Sequence, residues 1–523
     1  TYYQDDRVSL RMSQHDQEVG HEMYCLGHMI QGAIAYYRAT GDTKLLDAGA
    51  RMVDNFVLPG YGPGPNQKPI ISGHPEIEMA LIELYRTTGK RQYLELAGYI
   101  LHGDDRAKIA PDRIIYMFCG IPFTSRTKLE GHAVRAMYAC SGAADYYLET
   151  GDPAYLKTLN TLWEDLTRRQ MYINGGVGAR AQGESFGAPY ELPNAQAYGE
   201  SCAAIGNMMW NWRMLAATGD AKFTDVIERA LYNGINSGMS LDGVTYCYRN
   251  PLAFDPAAFD GFRGSPNIRN PWYDVTCCPP NLERTFSSLP GYFYSTGKDG
   301  LYVHLYDNSV LEWRLEDGTP IKVRQKTSYP WEAAVQLTVD PSEPREFTLY
   351  ARIPGWASGA SVAVNGRRES AVKAGEYLPI KRSWKSGDIV TLEFPMHTEV
   401  VASNPRVAED RGKVAVRRGP IIFCMEEVDQ RKGTALADMS ISLNERSGKD
   451  FASEYRPDLL EGVIVLHHQG SVFEVSSAEE ALYLPASSLP AKTRPDTLTL
   501  IPYYVWANRG PCAMEVWVPY TRT

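Results

Sequence analysis

The chain has no run of eighteen consecutive apolar residues, so no segment reads as a membrane-spanning helix. It also has no Lys- or Arg-rich run. With 53 basic residues against 62 acidic ones, its formal charge is -9, which argues against nucleic acid or an anionic membrane as partner and favours a neutral polar ligand. No CxxC pair occurs, so no standard zinc spacing is present. The nine cysteines, an odd number scattered through 523 residues, do not look like a disulfide framework. The chain opens at Thr1 without Met or a signal-like segment, and the expectation is that its natural start lies upstream. A soluble protein is expected, of bacterial-type cytoplasm or periplasm, with the compartment unassigned.

What is there is an ordinary globular composition, 44% hydrophobic and 22% charged, on a chain too long for one core. Two or three domains are expected. Tyr 33 and Trp 10 are generous counts, and such rings suit stacking on sugars, although most of them belong to cores.

One pair of segments stands out. Tyr198-Gly199-Glu200-Ser201-Cys202 and Thr276-Cys277-Cys278-Pro279-Pro280-Asn281 together offer one carboxylate and three thiols, a donor set that suits tetrahedral zinc. The plain alternatives are that each cysteine is a small buried hydrophobe, or that Cys277 and Cys278 form a strained vicinal disulfide. Spacing alone leaves the choice open. Their place in a repeated architecture favours the metal.

Up to about residue 300 the pattern is helical and repeats around Thr-Gly turns: Thr40-Gly41, Thr87-Thr88-Gly89, Thr150-Gly151, Thr218-Gly219 and Thr296-Gly297. Glycine there reads as a left-handed C-cap, with the following Asp or Thr capping the next helix. Irregular helical hairpins of this kind predict an α/α toroid. His28, His74, His132, Cys202 and Cys278 stand at similar distances before these turns, which predicts that they meet at one end of the barrel. A lone His is more often a satisfied core residue, but three in equivalent positions are harder to dismiss.

A long Gly-rich connection runs from Asn174-Gly175-Gly176 through Gly183-Glu184-Ser185-Phe186 to Leu192-Pro193-Asn194, and loops of that length are usually functional. Glu184 and Glu191 are the carboxylates it delivers. Beyond residue 300 the period changes to two, with strands expected over 300–306, 347–353 and 389–394 and a turn at Asn365-Gly366. A second all-β stretch follows, with strands over 414–423, 498–502 and 516–519. The expected domains are 1–298 (helical), 299–400 (β-sandwich) and 401–523 (second β-sandwich), the sandwiches serving as scaffold.

A thiolate held by zinc needs no separate base to attack, and a carboxyl with a raised pKa acts as a general acid near neutrality. With Glu184 in that second role, the chemistry indicated is glycosyl transfer to water by double displacement.

The blocks Gly20-His21-Glu22-Met23-Tyr24-Cys25, Gly73-His74-Pro75-Glu76, Gly183-Glu184-Ser185-Phe186, Gly199-Glu200-Ser201-Cys202, Glu228-Arg229-Ala230-Leu231-Tyr232-Asn233-Gly234, Tyr246-Cys247-Tyr248-Arg249-Asn250 and Cys277-Cys278-Pro279-Pro280-Asn281 resemble the β-L-arabinofuranosidase family, glycoside hydrolase family 127. The resemblance runs across nearly the whole chain. It implies a retaining exo-glycosidase with one Zn2+ on an (α/α)6 barrel followed by β-sandwiches. It places the nucleophile on Cys277, the acid/base on Glu184 and the zinc ligands on Glu200, Cys202, Cys277 and Cys278. Sugar contacts fall on His74, His132, Glu228, Tyr248 and His21, so the resemblance prefers His21 where height alone prefers His28. It also implies that the first barrel helices are missing from this sequence.

The expected substrate is an oligosaccharide ending in β-L-arabinofuranose. An acidic branched pectin sugar of the 3-C-carboxy-5-deoxy-L-xylose type is the alternative if Arg180 or Arg249 reads a substrate carboxylate. Rival classes are a non-catalytic zinc-stabilised glycan-binding protein, and a metal-free epimerase or unsaturated-uronide hydrolase on the same toroid. No nucleic acid or membrane partner is expected, and a homodimer is allowed.

Overall fold

The structure is a computed structural model that describes residues 20–69, 71–298, 300–443, 449–474, 483 and 493–522. It divides into two compact units, the first within 20–171, 177–191 and 206–219, and the second within 172–176, 192–205 and 220–522. Among the described residues, no helix is long and apolar enough to cross a membrane.

The first unit is built of helices in hairpin order: Glu22–Thr40, Lys44–Met52, Ile77–Thr88, Arg91–His102, Ala133–Thr150 and Pro153–Arg169. Three of the Thr-Gly turns end their helices as the sequence predicts. Gly41, Gly89 and Gly151 cap their helices at φ 77, 74 and 69°, each donating its N–H to the carbonyl four residues back. Asp152 then accepts from the N–H of Ala154 and starts the next helix. Met23, Ile30, Ile77, Leu81, Leu84, Tyr93 and Ala97 pack into one core between the first two hairpins.

The fifth turn departs from the expectation. Thr296-Gly297 ends a strand, Tyr294–Gly297, which pairs antiparallel with Gly300–Val303. Aromatic and β-branched residues at Tyr294 and Thr296 favour an extended backbone, and the strand partner stabilises it more than a helix cap would. The helix before it, Cys278–Ser288, is therefore short.

In the second unit a six-stranded and a four-stranded sheet bury their inner residues in one core that includes Leu301, Val323, Val339, Leu349, Trp384 and Val390. Strand Ala334–Pro341 alternates buried and half-buried residues along nearly its whole length, as a strand with one covered face should. Asn365 and Gly366, at φ 49 and 81°, make the two-residue hairpin that the Asn-Gly dipeptide predicts. The expected strand over 414–423 is two strands, Lys413–Arg418 and Ile421–Glu426, folded back on each other at Gly419-Pro420. Both belong to a ten-stranded sheet, and its edge strand is Ala253–Phe254, paired with Met514–Glu515. The segment that carries Tyr248 and Arg249 is thus tied to the C-terminal sheet.

Candidate metal centre and active site

Cys202 lies in the first turn of the helix Ser201–Thr218, and Cys278 is the first residue of Cys278–Ser288 with Cys277 at its N-cap. Pro279 and Pro280 fill first-turn positions where a helix needs no N–H donor. Two helix N-termini, with their partial positive charge, therefore meet at these thiols and favour anionic groups there.

The approach of Glu200 is fixed by the chain around it. Gly199 is left-handed, at φ 46°, and a Cβ there would come within 2.8 Å of the Asn250 carbonyl. Asn250 Nδ2 donates to the Gly199 carbonyl at 3.0 Å and to Ser201 Oγ at 2.9 Å, and Ser201 Oγ donates to the Cys247 carbonyl at 2.7 Å.

The four expected ligands come together. Cys202 Sγ is 3.5 Å from Cys278 Sγ, which is 3.8 Å from Cys277 Sγ. Glu200 Oε1 lies 3.3 Å from Cys277 Sγ and 3.7 Å from Cys278 Sγ. A tetrahedron with metal–sulfur bonds of about 2.3 Å and metal–oxygen bonds of about 2.0 Å has edges of about 3.8 Å between sulfurs and about 3.5 Å between sulfur and oxygen. These four separations are close to those edges. Glu200 Oε2 is buried without a hydrogen-bond partner among the described residues, a costly state that a cation would relieve. Three thiols and one carboxylate suit a divalent ion of borderline softness.

The thiols are not equivalent. Cys202 and Cys278 are buried, whereas Cys277 is half-buried. Burial pushes the Cys202 and Cys278 thiols and the Glu200 carboxyl well above their ordinary values. Hydrogen bonding with Cys202 foremost, then with Cys278, Tyr248 and Glu200, holds Cys277 well below the usual thiol range against the opposing effect of burial. Tyr248 Oη is 3.0 Å from Cys277 Sγ, so this expected sugar contact touches the sulfur directly. The Tyr248 N–H is in turn fixed by Tyr273 Oη at 3.2 Å.

The first unit assembles the imidazoles. His21 is the N-cap of Glu22–Thr40, His132 is the N-cap of Ala133–Thr150, and His74 stands just before Ile77–Thr88. Their rings follow one another at centroid distances of 5.7 Å (His21 to His74) and 5.6 Å (His74 to His132). His28 sits further along its helix, with Nδ1 3.3 Å from Glu76 Oε1. Burial, and next the cation of Arg135, bring His21 down to about 4 and His74 well below its ordinary value, so both are neutral near pH 7.

Glu184 lies 2.7 Å through Oε2 from His132 Nε2. Gly183 and Glu184 are both left-handed, at φ 68 and 51°, and Phe186 N–H bonds to the Gly131 carbonyl, so the turn is held against its own strain. The other loop carboxylate is engaged elsewhere. Arg180 makes a bidentate pair with Glu191 at 2.5 Å for both bonds, and Glu191 also accepts from Ala188 N–H.

The family profile described as the catalytic domain of β-L-arabinofuranosidase, glycoside hydrolase family 127, matches residues 3–291, and the middle and C-terminal domain profiles match 300–396 and 398–519. The chain belongs to glycoside hydrolase family 127. It is 33% identical over 522 residues to the non-reducing end β-L-arabinofuranosidase of Bifidobacterium longum subsp. longum, covering 95% of this chain and 78% of that protein. The crystal structure of a family 127 β-L-arabinofuranosidase from Geobacillus stearothermophilus T6 superposes with a TM-score of 0.91 at 39% identity, covering 98% of this chain and 82% of that one. A second solved family 127 β-arabinofuranosidase gives 0.87 at 38% identity, with 97% and 77% covered.

One expected site residue of this family 127 chain is held by protein partners. Glu228 is buried and fully engaged: Tyr329 Oη donates to it at 2.6 Å, Trp356 Nε1 at 3.0 Å, and Arg352 pairs with it closely. With its acceptors engaged by protein donors, it is part of an internal ion pair. Sequence reasoning missed Asn250, Tyr273 and Arg135, which touch none of the expected chemistry and act on residues that do. Asn250 lies inside the Tyr-Arg-Asn block and was legible there.

Proposed function

We propose that the chain is a retaining exo-glycosidase that removes terminal β-L-arabinofuranosyl residues by double displacement. The reading includes an (α/α)6 toroid within 1–298 and β-sandwiches over 299–400 and 401–523. The observation that carries it is the Glu200, Cys202, Cys277 and Cys278 cluster, in which Cys277 is the one thiol with solvent access. The names of the relatives support the sugar assignment.

Zinc is the ion this donor set suits, and when bound it keeps the sulfur as thiolate and stabilises it on departure. Cys277 Sγ attacks the anomeric carbon as the bond to the aglycone oxygen breaks, and Glu184 protonates that oxygen. A thioglycoside on Cys277 results. Glu184, now a carboxylate, takes a proton from water, the water oxygen attacks the anomeric carbon, and the Cys277–carbon bond breaks. Two inversions return the original configuration. Tyr248 donates to the sulfur and steadies its charge, while the bond to His132 orients the Glu184 carboxyl. The neutral imidazoles of His21 and His74 offer both donor and acceptor to sugar hydroxyls.

A second reading keeps the mechanism and replaces the sugar with an acidic branched one of pectin. Arg180 is engaged by Glu191, but among the described residues Arg249 donates only to the Ala197 carbonyl, at 3.2 Å, and its Nε has no hydrogen-bond partner. Turnover of an aryl β-L-arabinofuranoside beside acidic pectin fragments, by the wild type and Cys277→Ser, tests both. Release from neither substrate would favour a glycan-binding protein.

A further inference from the structure

Glu228 is followed by an arginine whose surroundings the glycosidase reading does not use. Asp225 and Glu228 lie about one turn apart on the helix Ala221–Arg229, and Arg352 pairs with both. Gly355 N–H adds a bond to Asp225 at 3.1 Å. These carboxylates already face protein donors. Arg417 is paired with Glu399 at 2.5 Å. Arg229 differs from all of these. Its half-buried guanidinium has no hydrogen-bond or ion-pair partner among the described residues; it feels the charges of Arg417, Asp225 and Glu228, and with these three it lines a cavity of about 210 Å3 that Trp356 and Gly419 help to enclose.

Three guanidinium groups stand against three carboxylates here, so net charge does not call for a ligand. The unmet donors do. A guanidinium has five N–H groups in a planar fork that matches two oxygens of a carboxylate or phosphate. At roughly 30 Å3 of liquid volume per water molecule, the cavity has room for about seven waters, enough for one oxyanion or one sugar acid.

We propose that this cavity is a second binding site, separate from the cysteine cluster, that takes a small oxyanion between Arg229 and Arg417. The ligand group is a carboxylate or a phosphate, and the site does not depend on the proposed glycosidase activity.

Calorimetric titration of the full chain with inorganic phosphate, galacturonate and neutral galactose tests it, using the wild type, Arg229→Gln and Arg417→Gln. Saturable binding of at least one anion, weakened tenfold or more in Arg229→Gln and absent for galactose, is expected. Phosphate alone identifies a phosphate-bearing ligand, galacturonate alone a sugar acid, and both the shared group. Should Arg229→Gln fail to melt cooperatively, Arg417→Gln decides by the same criterion. Binding of neither anion, equal binding of galactose, or unweakened binding in the deciding variant overturns the proposal.

Discussion

Cys277 and Cys278 are adjacent in sequence and alike in chemistry, yet one is only half-buried and carries hydrogen bonds that favour its thiolate, while the other is buried and its thiol is pushed up. That asymmetry supports the proposal that Cys277 is the nucleophile. Cys277→Ser should lower kcat at least about a thousandfold on an aryl arabinofuranoside, as removal of other nucleophiles does. Glu184→Gln should cost roughly 10²–10⁴-fold with a poor leaving group and much less with a nitrophenolate, which departs without a proton. Equal losses on both aglycones would remove Glu184 from the acid role.

His21 and His74 have folded pKa values below their unfolded ones, so they stabilise the fold fully above about 6.5. The stabilisation from His21 is lost as pH falls from there through about 4, and that from His74 over a window reaching lower still. Denaturant midpoints across that range should fall, and should fall less steeply in His21→Gln.

At the scale of elements, the turn that holds Glu184 depends on Gly131. This residue is left-handed at φ 72°, and a Cβ would come 1.9 Å from the Ile115 carbonyl oxygen, so backbone would have to move. Gly131→Ala should therefore cost about 2 kcal/mol or more of stability and reduce turnover with it. Gly151→Ala serves as the control. It is also left-handed, at φ 69°, but nothing lies within 4 Å of the added carbon, so only the backbone cost of about 1 kcal/mol applies.

The helix punctuation was legible because a Gly C-cap followed by Asp is a local signal, readable without knowing what packs against it. Thr296-Gly297 carries the same letters and ends a strand, because a partner strand rather than local preference decides there. The protein partners of Glu228 were illegible for a related reason. Its identity says carboxylate, but Arg352, which occupies it, is far along the chain and invisible to any local pattern.

For the whole molecule, helical repeats followed by β-rich segments could be read from period alone. The tie between Ala253–Phe254 and Met514–Glu515 could not, since pairings at that separation leave no mark in either short strand. The ligand set was legible as a donor inventory, and the dimensions of the cluster came only with the fold. Because the cluster joins the start of one helix to that of another, removing its ion should loosen more than the site. Purified protein should hold about one equivalent of zinc per chain, and chelation should lower both Tm and rate. An unchanged melting curve after complete metal removal would assign the cluster no structural weight.

The central claim is that Cys277 carries the sugar between the two displacements. The most direct measurement is intact and peptide mass spectrometry of Glu184→Gln quenched during turnover of an activated arabinofuranoside, where departure of the aglycone needs no acid and the second step lacks its base. The account predicts one pentosyl unit on the peptide containing Cys277, absent from the double variant that also carries Cys277→Ser. A pentosyl adduct on a carboxylate, or one that persists without Cys277, would contradict it.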